Sequence, residues 1–309
     1  MMMQRLMICC MVMMASGVPS YFFVHMPKTG GNSLTEIMEK MAVPCNDMVS
    51  CVNTLHMHHS STCLVAGCEA QRSGQVRGYF DKMRAEPELL LLLRNPRDHV
   101  VSMYAHCQQP GAKGYERHHY RPISLEAWLD LWARGPGDEA EEYCGYDPRD
   151  VMTRTLLDDD NIQNVSHAID LLEHKTAWVG ILEYLPQSHC LLKRLLVDDH
   201  LEAKNKDDAG STPQWENLKD ATPLGDKIIL DIIESQCHCD HAKTTTTPPS
   251  SHLPHHSWGT NTSSFHLTVD MLKTMDALSR SDWLLYSAAV ARLRRDLQQA
   301  GLGCLLPRL

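Results

Sequence analysis

The chain has 309 residues and a formal net charge of −9, with 43% hydrophobic and 22% charged residues. This length is sufficient for one large domain with a sizeable core, and the composition is ordinary for a globular protein. An acidic chain does not suit general binding of nucleic acid, which needs a basic surface, although a local basic groove stays compatible with it. We therefore expect a globular protein without a nucleic-acid partner.

The first 20 residues are typical of a leader segment. Arg5 precedes an apolar run over residues 6–15, and small residues follow at positions 15–17. A run of this length suits a signal peptide or a short signal anchor better than a full membrane span. The sequence thus predicts entry into the secretory pathway through residues 1–20, with a membrane anchor as the alternative, and a single domain over residues 21–309.

The cysteine pattern agrees with a secretory destination. Twelve cysteines are spread through the chain without paired C-x-x-C spacing, which is compatible with disulfides formed in an oxidising lumen. Triplets of the form N-x-S/T begin at Asn164 and Asn261 and are candidate glycosylation sites. The chain is therefore expected to be a glycoprotein with disulfides.

Residues 21–41, with the sequence YFFVHMPKTGGNSLTEIMEKM, predict a buried strand, a glycine-containing loop and an amphipathic helix in succession. Asn32 and Ser33 are good capping residues for that helix. Gly30 and Gly31 can adopt positive φ, so that backbone N–H groups can point at one anion at the positive end of the helix dipole. Lys28 adds a full positive charge. The segment therefore predicts a phosphate-binding loop.

A nucleotide triphosphatase would have a different residue order in this loop. Its motif is G-x-x-x-x-G-K-[ST], whereas here Lys28 precedes the glycines. No Lys-Ser or Lys-Thr pair follows Gly31 to provide the magnesium-binding hydroxyl. A kinase or triphosphatase of unusual motif stays an alternative.

A second strand is predicted at residues 62–66, after a loop over residues 42–61 that contains several histidines. Gly67, Cys68 and Glu69 then lie at the carboxyl end of this strand, where open α/β sheets place their ligands.

A third strand is predicted at residues 89–93, an unbroken apolar run typical of a central parallel strand. It is followed by the sequence RNPRDHVVS, in which Pro96 suits a first helical turn. Arg94 offers a planar fork for phosphate oxygens, and Ser102 adds a hydroxyl donor. A surface Arg-Asp pair is the alternative for this segment in isolation. The segment lies one or two βαβ-sized intervals after the first loop, and this spacing favours phosphate binding.

These two segments resemble the phosphate motifs of sulfotransferases that use 3′-phosphoadenosine-5′-phosphosulfate (PAPS), especially the membrane-associated heparan sulfate 2-O and 6-O types. The resemblance covers most of residues 21–196 and 265–297. It implies a P-loop-like α/β fold with a mostly parallel sheet flanked by helices, a glycan acceptor, a Golgi location and no required metal. Arg94 and Ser102 would bind the 3′-phosphate. The 5′-phosphosulfate would bind to Pro27, Lys28, Thr29, Gly30, Gly31, Asn32 and Ser33.

The general base is where the chain departs from that family. Related enzymes supply a histidine or glutamate near the second strand, commonly a histidine after a glycine, but here Cys68 follows Gly67. A thiol would need a strongly lowered pKa to act. Glu69 and His59 are therefore the first candidates and His58 the next, with Lys28 stabilising the leaving group. An inactive member of the fold that serves as a binding module is a further alternative.

The rest of the chain predicts helices, one more strand and an insertion. Helices are expected over residues 96–106, from Ser124 with tryptophans in the core, and over residues 161–174. A strand is expected over residues 177–182. A V-G-x-x-E-x-x-x-x-S pattern that begins at Val179 within this strand resembles the same family, and the resemblance implies structural roles for Glu183 and Ser188.

The last third of the chain combines a low-complexity insertion with a terminal helix. The insertion covers residues 198–264 and is rich in polar residues and proline. Its Cys-His-Cys-Asp-His stretch lacks a second ligand pair at zinc-finger spacing, so a disulfide or an exposed loop is favoured there. Residues 265–299 predict helix, with Asp282 opening a D-x-x-L-Y pattern that resembles the family's terminal helix. A buried stripe is expected at Leu285, Ala289, Leu293 and Leu297.

Overall fold

The computed structural model describes four parallel strands that form one sheet in the order β2-β1-β3-β4. These are β1 Tyr21–His25, β2 Val65–Glu69, β3 Glu88–Leu93 and β4 Thr176–Ile181. The described residues are 21–30, 34, 65–69, 88–109, 123–135, 147–157, 164–195, 237, 239 and 265–306, with the backbone alone for residues 65–69.

Helices flank this sheet, which confirms the predicted α/β class with a parallel sheet. Short 3₁₀ turns at Leu182–Tyr184 and Gly303–Leu305 complete the described elements. The helices are α1 Pro96–Cys107, α2 Leu125–Ala133, α3 Val151–Leu157, α4 Val165–His174, α5 Leu185–Lys193, α6 Val269–Leu278 and α7 Arg280–Gln299.

The main core lies between the sheet and α7. Phe22 and Phe23 in β1 and residues 90–93 in β3 have no exposed surface, as expected for strands covered on both faces. One stripe of α7 packs into the same core, which confirms the predicted helical face. Each fully buried leucine or phenylalanine side chain in this core stabilises the fold by about 1.5–3 kcal/mol. The buried residues of the stripe include Leu285, Ala289, Leu293 and Leu297.

A second core joins α1, α2 and α6. Trp128 and Trp132 are buried in it and meet edge to face, which confirms the expectation that these tryptophans belong to the core. Ser124 caps α2 by accepting a hydrogen bond from the backbone N–H of Ala127. The sequence therefore located this helix and its start correctly.

The strand order determines where a ligand crevice can form. From β1 the chain moves to β2 on one side and then to β3 on the other side. In open parallel sheets, the connections diverge at such a reversal and leave a crevice beyond the carboxyl ends of the two strands. The segments that follow β1 and β3 are the two predicted phosphate motifs, and both lie at this reversal.

Three predicted boundaries were wrong. Strand β2 continues to Glu69, beyond the predicted end at Ala66, because β1 extends to His25 and the two strands stay paired along their whole length. The helix predicted from residue 161 is described from Val165, after Asn164, whose side chain accepts from the N–H of His167. The helix predicted over residues 265–299 is divided at Ser279, which has a non-helical backbone.

Two disulfides attach the predicted insertion to the rest of the fold. Cys237 is bonded to Cys190 on α5, and Cys239 is bonded to Cys304 near the end of the chain. Cys107 is also disulfide-bonded. The expected disulfide in the Cys-His-Cys stretch is therefore confirmed, while the remainder of the insertion and the leader over residues 1–20 lie outside the described residues.

Candidate anion-binding site

The loop after β1 occupies residues 26–30 and is tightly folded. Lys28 has φ of 64° and Gly30 has φ of 88°, so both lie in the left-handed region that side chains with a Cβ disfavour. Thr29 is buried, and its hydroxyl and its N–H both donate to the carbonyl of Met26. The prediction that Gly30 adopts positive φ is confirmed, while Gly31, Asn32 and Ser33 lie outside the described residues.

Gly30 is favoured by its positive φ and also packs closely against a neighbouring side chain. A Cβ atom at this position would lie 2.7 Å from Cδ1 of Leu182, the first residue after β4. The loop therefore contacts the carboxyl end of β4 directly. Leu34, four residues on, is helical and buried, and its N–H donates to the carbonyl of Gly30.

Two side chains from the segment after β3 hold consecutive carbonyl groups of this loop. Nη1 of Arg94 donates to the carbonyl oxygen of Lys28 at 3.0 Å. Nε2 of His99 donates to the carbonyl oxygen of Pro27 at 2.7 Å. The two predicted phosphate motifs are thus directly bonded to one another, although 66 and 72 residues separate the partners.

The start of α1 presents the remaining groups of the second motif. Asn95 caps the helix by accepting from the N–H groups of Arg97 and Asp98, and Pro96 occupies the first turn. Ser102 is buried and lies three residues after His99, on the same helix face. Its hydroxyl has no hydrogen-bond partner in the part of the chain that the structure describes.

Burial controls the protonation of the two basic groups. Burial lowers the pKa of Arg94, and the carboxylates of Asp98 and Glu183 act in the opposite direction. Burial lowers the pKa of His99 to about 4, and the charge of Arg94 adds to the effect, while the bond to Pro27 opposes it. His99 is therefore neutral near neutral pH, with Arg94 as a half-buried cation beside it.

Glu183 connects a third element to this edge. Its Oε1 accepts from the backbone N–H of Asn95 at 2.8 Å, and its Oε2 accepts from the hydroxyl of Tyr286 at 3.1 Å. Burial, and then the charge of Glu183, raises the pKa of Tyr286. Ser188 is fully buried and bonds the backbone of Ile181 and Tyr184. Both side chains thus make contacts within the fold, in agreement with the structural roles that the resemblance implied.

Arg97 has a structural role despite its position next to the second motif. It forms a bidentate pair with Asp276 on α6, at 2.7 Å and 2.6 Å, and its guanidinium lies over the ring of Trp283. The pair holds α1 against α6 and α7. Side-chain hydrogen bonding to Arg97 lowers the pKa of Asp276.

The predicted general base stays a prediction. Glu69 ends β2, and its backbone is paired with His25 at the edge where ligands are expected, but the structure does not describe its side chain. His58 and His59 lie outside the described residues. Among the described residues, no group of three or more His, Cys, Asp or Glu side chains could hold a metal ion.

Sequence reasoning missed His99 as a site residue. A signal was present, because His99 lies three residues before Ser102 on the same helix face and four residues after Asn95, the cap of α1. Its hydrogen-bond partner, however, is 72 residues away. Spacing alone could not identify Pro27 as that partner.

A second buried polar cluster lies between α3 and α7. The carboxylate of Asp282 accepts from the N–H groups of Met152 and Thr153 and from the Thr153 hydroxyl. Asp150 accepts from the N–H groups of Ser281 and Asp282. Each helix is therefore capped by an aspartate associated with the other. Burial, and then the charge of Asp150, raises the pKa of Asp282 to about 7.

No protein-family model, curated protein or solved structure matches this chain. In the part of the chain that the structure describes, no helix is both long and apolar enough to cross a membrane. The arrangement after β1 and β3 has features suited to an anion, because it combines a constrained loop with the cationic residues Lys28 and Arg94 at the sheet reversal, where open parallel sheets bind their ligands.

Proposed function

We propose that this chain is a PAPS-dependent sulfotransferase of P-loop-like fold that transfers a sulfuryl group to a hydroxyl of a glycan. The observation that carries the proposal is the direct bond between the two phosphate motifs, from the Arg94 guanidinium to the Lys28 carbonyl at 3.0 Å. A donor with phosphate groups at two ends needs two adjacent anion sites. The loop after β1 and the segment after β3 supply them.

The 3′-phosphate is assigned to Arg94 and Ser102. Arg94 has one N–H engaged by the loop among the described residues, and a guanidinium has five such donors. The Ser102 hydroxyl, which has no partner in that part of the chain, lies on the same helix face as His99 and two turns beyond Arg94. The pair is therefore proposed to donate to one phosphate group beside α1.

In the proposed reaction, the acceptor oxygen forms a bond to sulfur while the bond from sulfur to the 5′-phosphate oxygen breaks. The electron pair of that bond leaves with 3′-phosphoadenosine 5′-phosphate. The acceptor proton passes to a base, for which Glu69, His59 and His58 are the candidates. Lys28 stabilises the charge that develops on the leaving oxygen, and the loop amides act as fixed dipoles around it. The reaction as proposed needs no metal.

A secretory lumen, as in the Golgi, is proposed as the location. Cys107, Cys190, Cys237, Cys239 and Cys304 are all disulfide-bonded, which is typical of proteins made in an oxidising compartment. Asn164 is exposed and uses Oδ1 to cap α4, so its Nδ2 is available for a glycan. An Asn164→Gln variant that migrates like the parent after secretory expression would contradict glycosylation at this position.

Incubation with ³⁵S-labelled PAPS and a panel of glycans tests the activity. We expect label on a glycan, unchanged by EDTA, with no consumption of ATP. Magnesium-dependent consumption of ATP would replace the proposal with a kinase or triphosphatase. Binding of 3′-phosphoadenosine 5′-phosphate without transfer to any glycan would favour an inactive binding module.

A further inference from the structure

Among the described residues, the side chain of His99 makes one hydrogen bond, and that bond reaches the loop after β1. The ring is 1% exposed, and Nε2 lies 2.7 Å from the carbonyl oxygen of Pro27. Since a carbonyl oxygen can only accept, Nε2 carries the proton. Arg94 holds the next carbonyl, that of Lys28. Two side chains thus fix two successive peptide groups of the loop.

We propose that His99 is a positioning residue that holds the loop after β1 in the shape that binds the 5′-phosphosulfate end of the donor. The proposal rests on the proposed function, because it assigns the loop to that end of PAPS. His99 acts through the Pro27 carbonyl and does not contact the reacting atoms. It is therefore distinct from the general base, which must touch the acceptor hydroxyl.

The need for such a residue follows from the loop backbone. Lys28 has φ of 64°, a conformation that a residue with a Cβ avoids unless its surroundings enforce it. Because the peptide group is planar, fixing the Pro27 carbonyl also fixes the direction of the Lys28 N–H. The Arg94 bond does the same for the Thr29 N–H. His99 and Arg94 therefore hold Lys28 from both sides.

His99 is suited to this task because it stays neutral. Burial, helped by the charge of Arg94, lowers its pKa to about 4. A neutral ring keeps one N–H donor without placing a second buried positive charge beside Arg94. A permanent cation at this position would repel Arg94.

His189 provides a matched control within the same chain. It is also 1% exposed, and burial lowers its pKa to about 4. Neither ring nitrogen has a partner among the described residues. Replacing His189 by leucine thus removes an equally buried imidazole without removing a bond to the loop.

The test measures binding of three nucleotides to the full chain by calorimetry. In His99→Leu, 3′-phosphoadenosine 5′-phosphate and adenosine 5′-phosphate should both bind about tenfold or more weakly, as expected when a buried acceptor loses its donor. Binding of adenosine 3′-phosphate should change less than about twofold, because the site assigned to the 3′-phosphate loses no contact. His99→Gln, which retains an N–H donor, should recover most of the loss. His189→Leu should bind all three like the parent.

Hydrogen exchange gives a readout that needs no ligand. The amides of residues 28–30 should exchange faster in His99→Leu than in the parent or in His189→Leu. Unchanged exchange at these residues, or an equal loss for adenosine 3′-phosphate, would overturn the positioning role. If the parent binds none of the nucleotides, the proposed function fails as well. If the parent binds them and His99→Leu binds them equally tightly, only the role of His99 fails.

Discussion

The edge of the sheet after β1 and β3 and the junction between α3 and α7 both place buried polar groups at helix starts, yet they use them differently. At the junction, both oxygens of Asp282 accept hydrogen bonds, and Asp150 accepts two more. At the edge, considering the described residues only, Arg94 donates one hydrogen bond to the loop and the Ser102 hydroxyl donates none.

The difference distinguishes a structural cluster from the proposed binding site. A group that is fully bonded within the protein has little capacity left for a ligand, whereas donors that are held in place but not saturated can bind one. Burial and a shifted pKa do not make this distinction, since both regions have them. We therefore expect substitutions at the junction to affect stability and substitutions at the edge to affect binding and turnover.

The largest effect is expected at Lys28. Replacement of Lys28 by methionine keeps an unbranched side chain of similar length and removes the charge, so turnover should fall by about 10²–10³. The denaturation midpoint should change little. Steady-state assays with PAPS, run beside Lys273→Met on the exposed face of α6, would measure this. Equal turnover in the two variants would remove Lys28 from the chemistry.

Asp282→Ala should give the opposite profile. The change leaves the N–H groups of Met152 and Thr153 without their acceptor in a buried position, which should lower the free energy of unfolding by about 2–3 kcal/mol. Nucleotide affinity of the folded protein should stay the same. Chemical denaturation with Asp270→Ala, an exposed carboxylate, is the control. Weaker nucleotide binding without lost stability would break the proposed division between the two regions.

Arg94→Ala should reduce affinity for 3′-phosphoadenosine 5′-phosphate by roughly 1.5–3 kcal/mol. Adenosine 5′-phosphate should lose less, because it lacks the 3′-phosphate and is affected only through the lost bond to the Lys28 carbonyl. Calorimetric titration of both nucleotides measures the difference. Equal losses would assign Arg94 to the loop alone and remove it from 3′-phosphate binding.

The pH dependence of stability should also distinguish the junction between α3 and α7 from the edge of the sheet. Asp282 has a folded pKa of about 7 against an ordinary value near 3.8, so the folded state binds more protons between these values. This contribution therefore stabilises the fold below about pH 4 and is lost as the pH rises to about 7, by at most about 1.4 kcal/mol per pH unit. His99 and His189 act in the opposite direction between about pH 6.5 and 4, because their folded pKa values are lowered.

In Asp282→Asn, the stability should not show this decrease between about pH 4 and 7, because an amide does not titrate there. The free energy of unfolding of the parent and of the variant is measured by denaturation at intervals from pH 4 to 7. The difference between the two stability curves gives the contribution of Asp282. Asp270→Asn serves as the exposed control. Parallel curves for the parent and Asp282→Asn would show that Asp282 keeps an ordinary pKa.

Local features of this protein were accessible from sequence alone. The apolar run ending in R-N-P predicted β3 and the start of α1, and helical spacing predicted the buried stripe of α7. These features depend on residues within one or two turns or strands of each other, where backbone geometry relates spacing to direction. The same locality explains why Gly30 was correctly expected to adopt positive φ.

The contacts that make a site from these elements were decided by the tertiary structure. His99 meets Pro27, Arg94 meets Lys28, and Asp282 caps α3 only because the sheet order and helix packing bring distant segments together. A side chain with a hydrogen-bond donor has many acceptors of equal chemistry along the chain. Sequence spacing therefore predicts which residues can donate, while packing selects the acceptor that each one reaches.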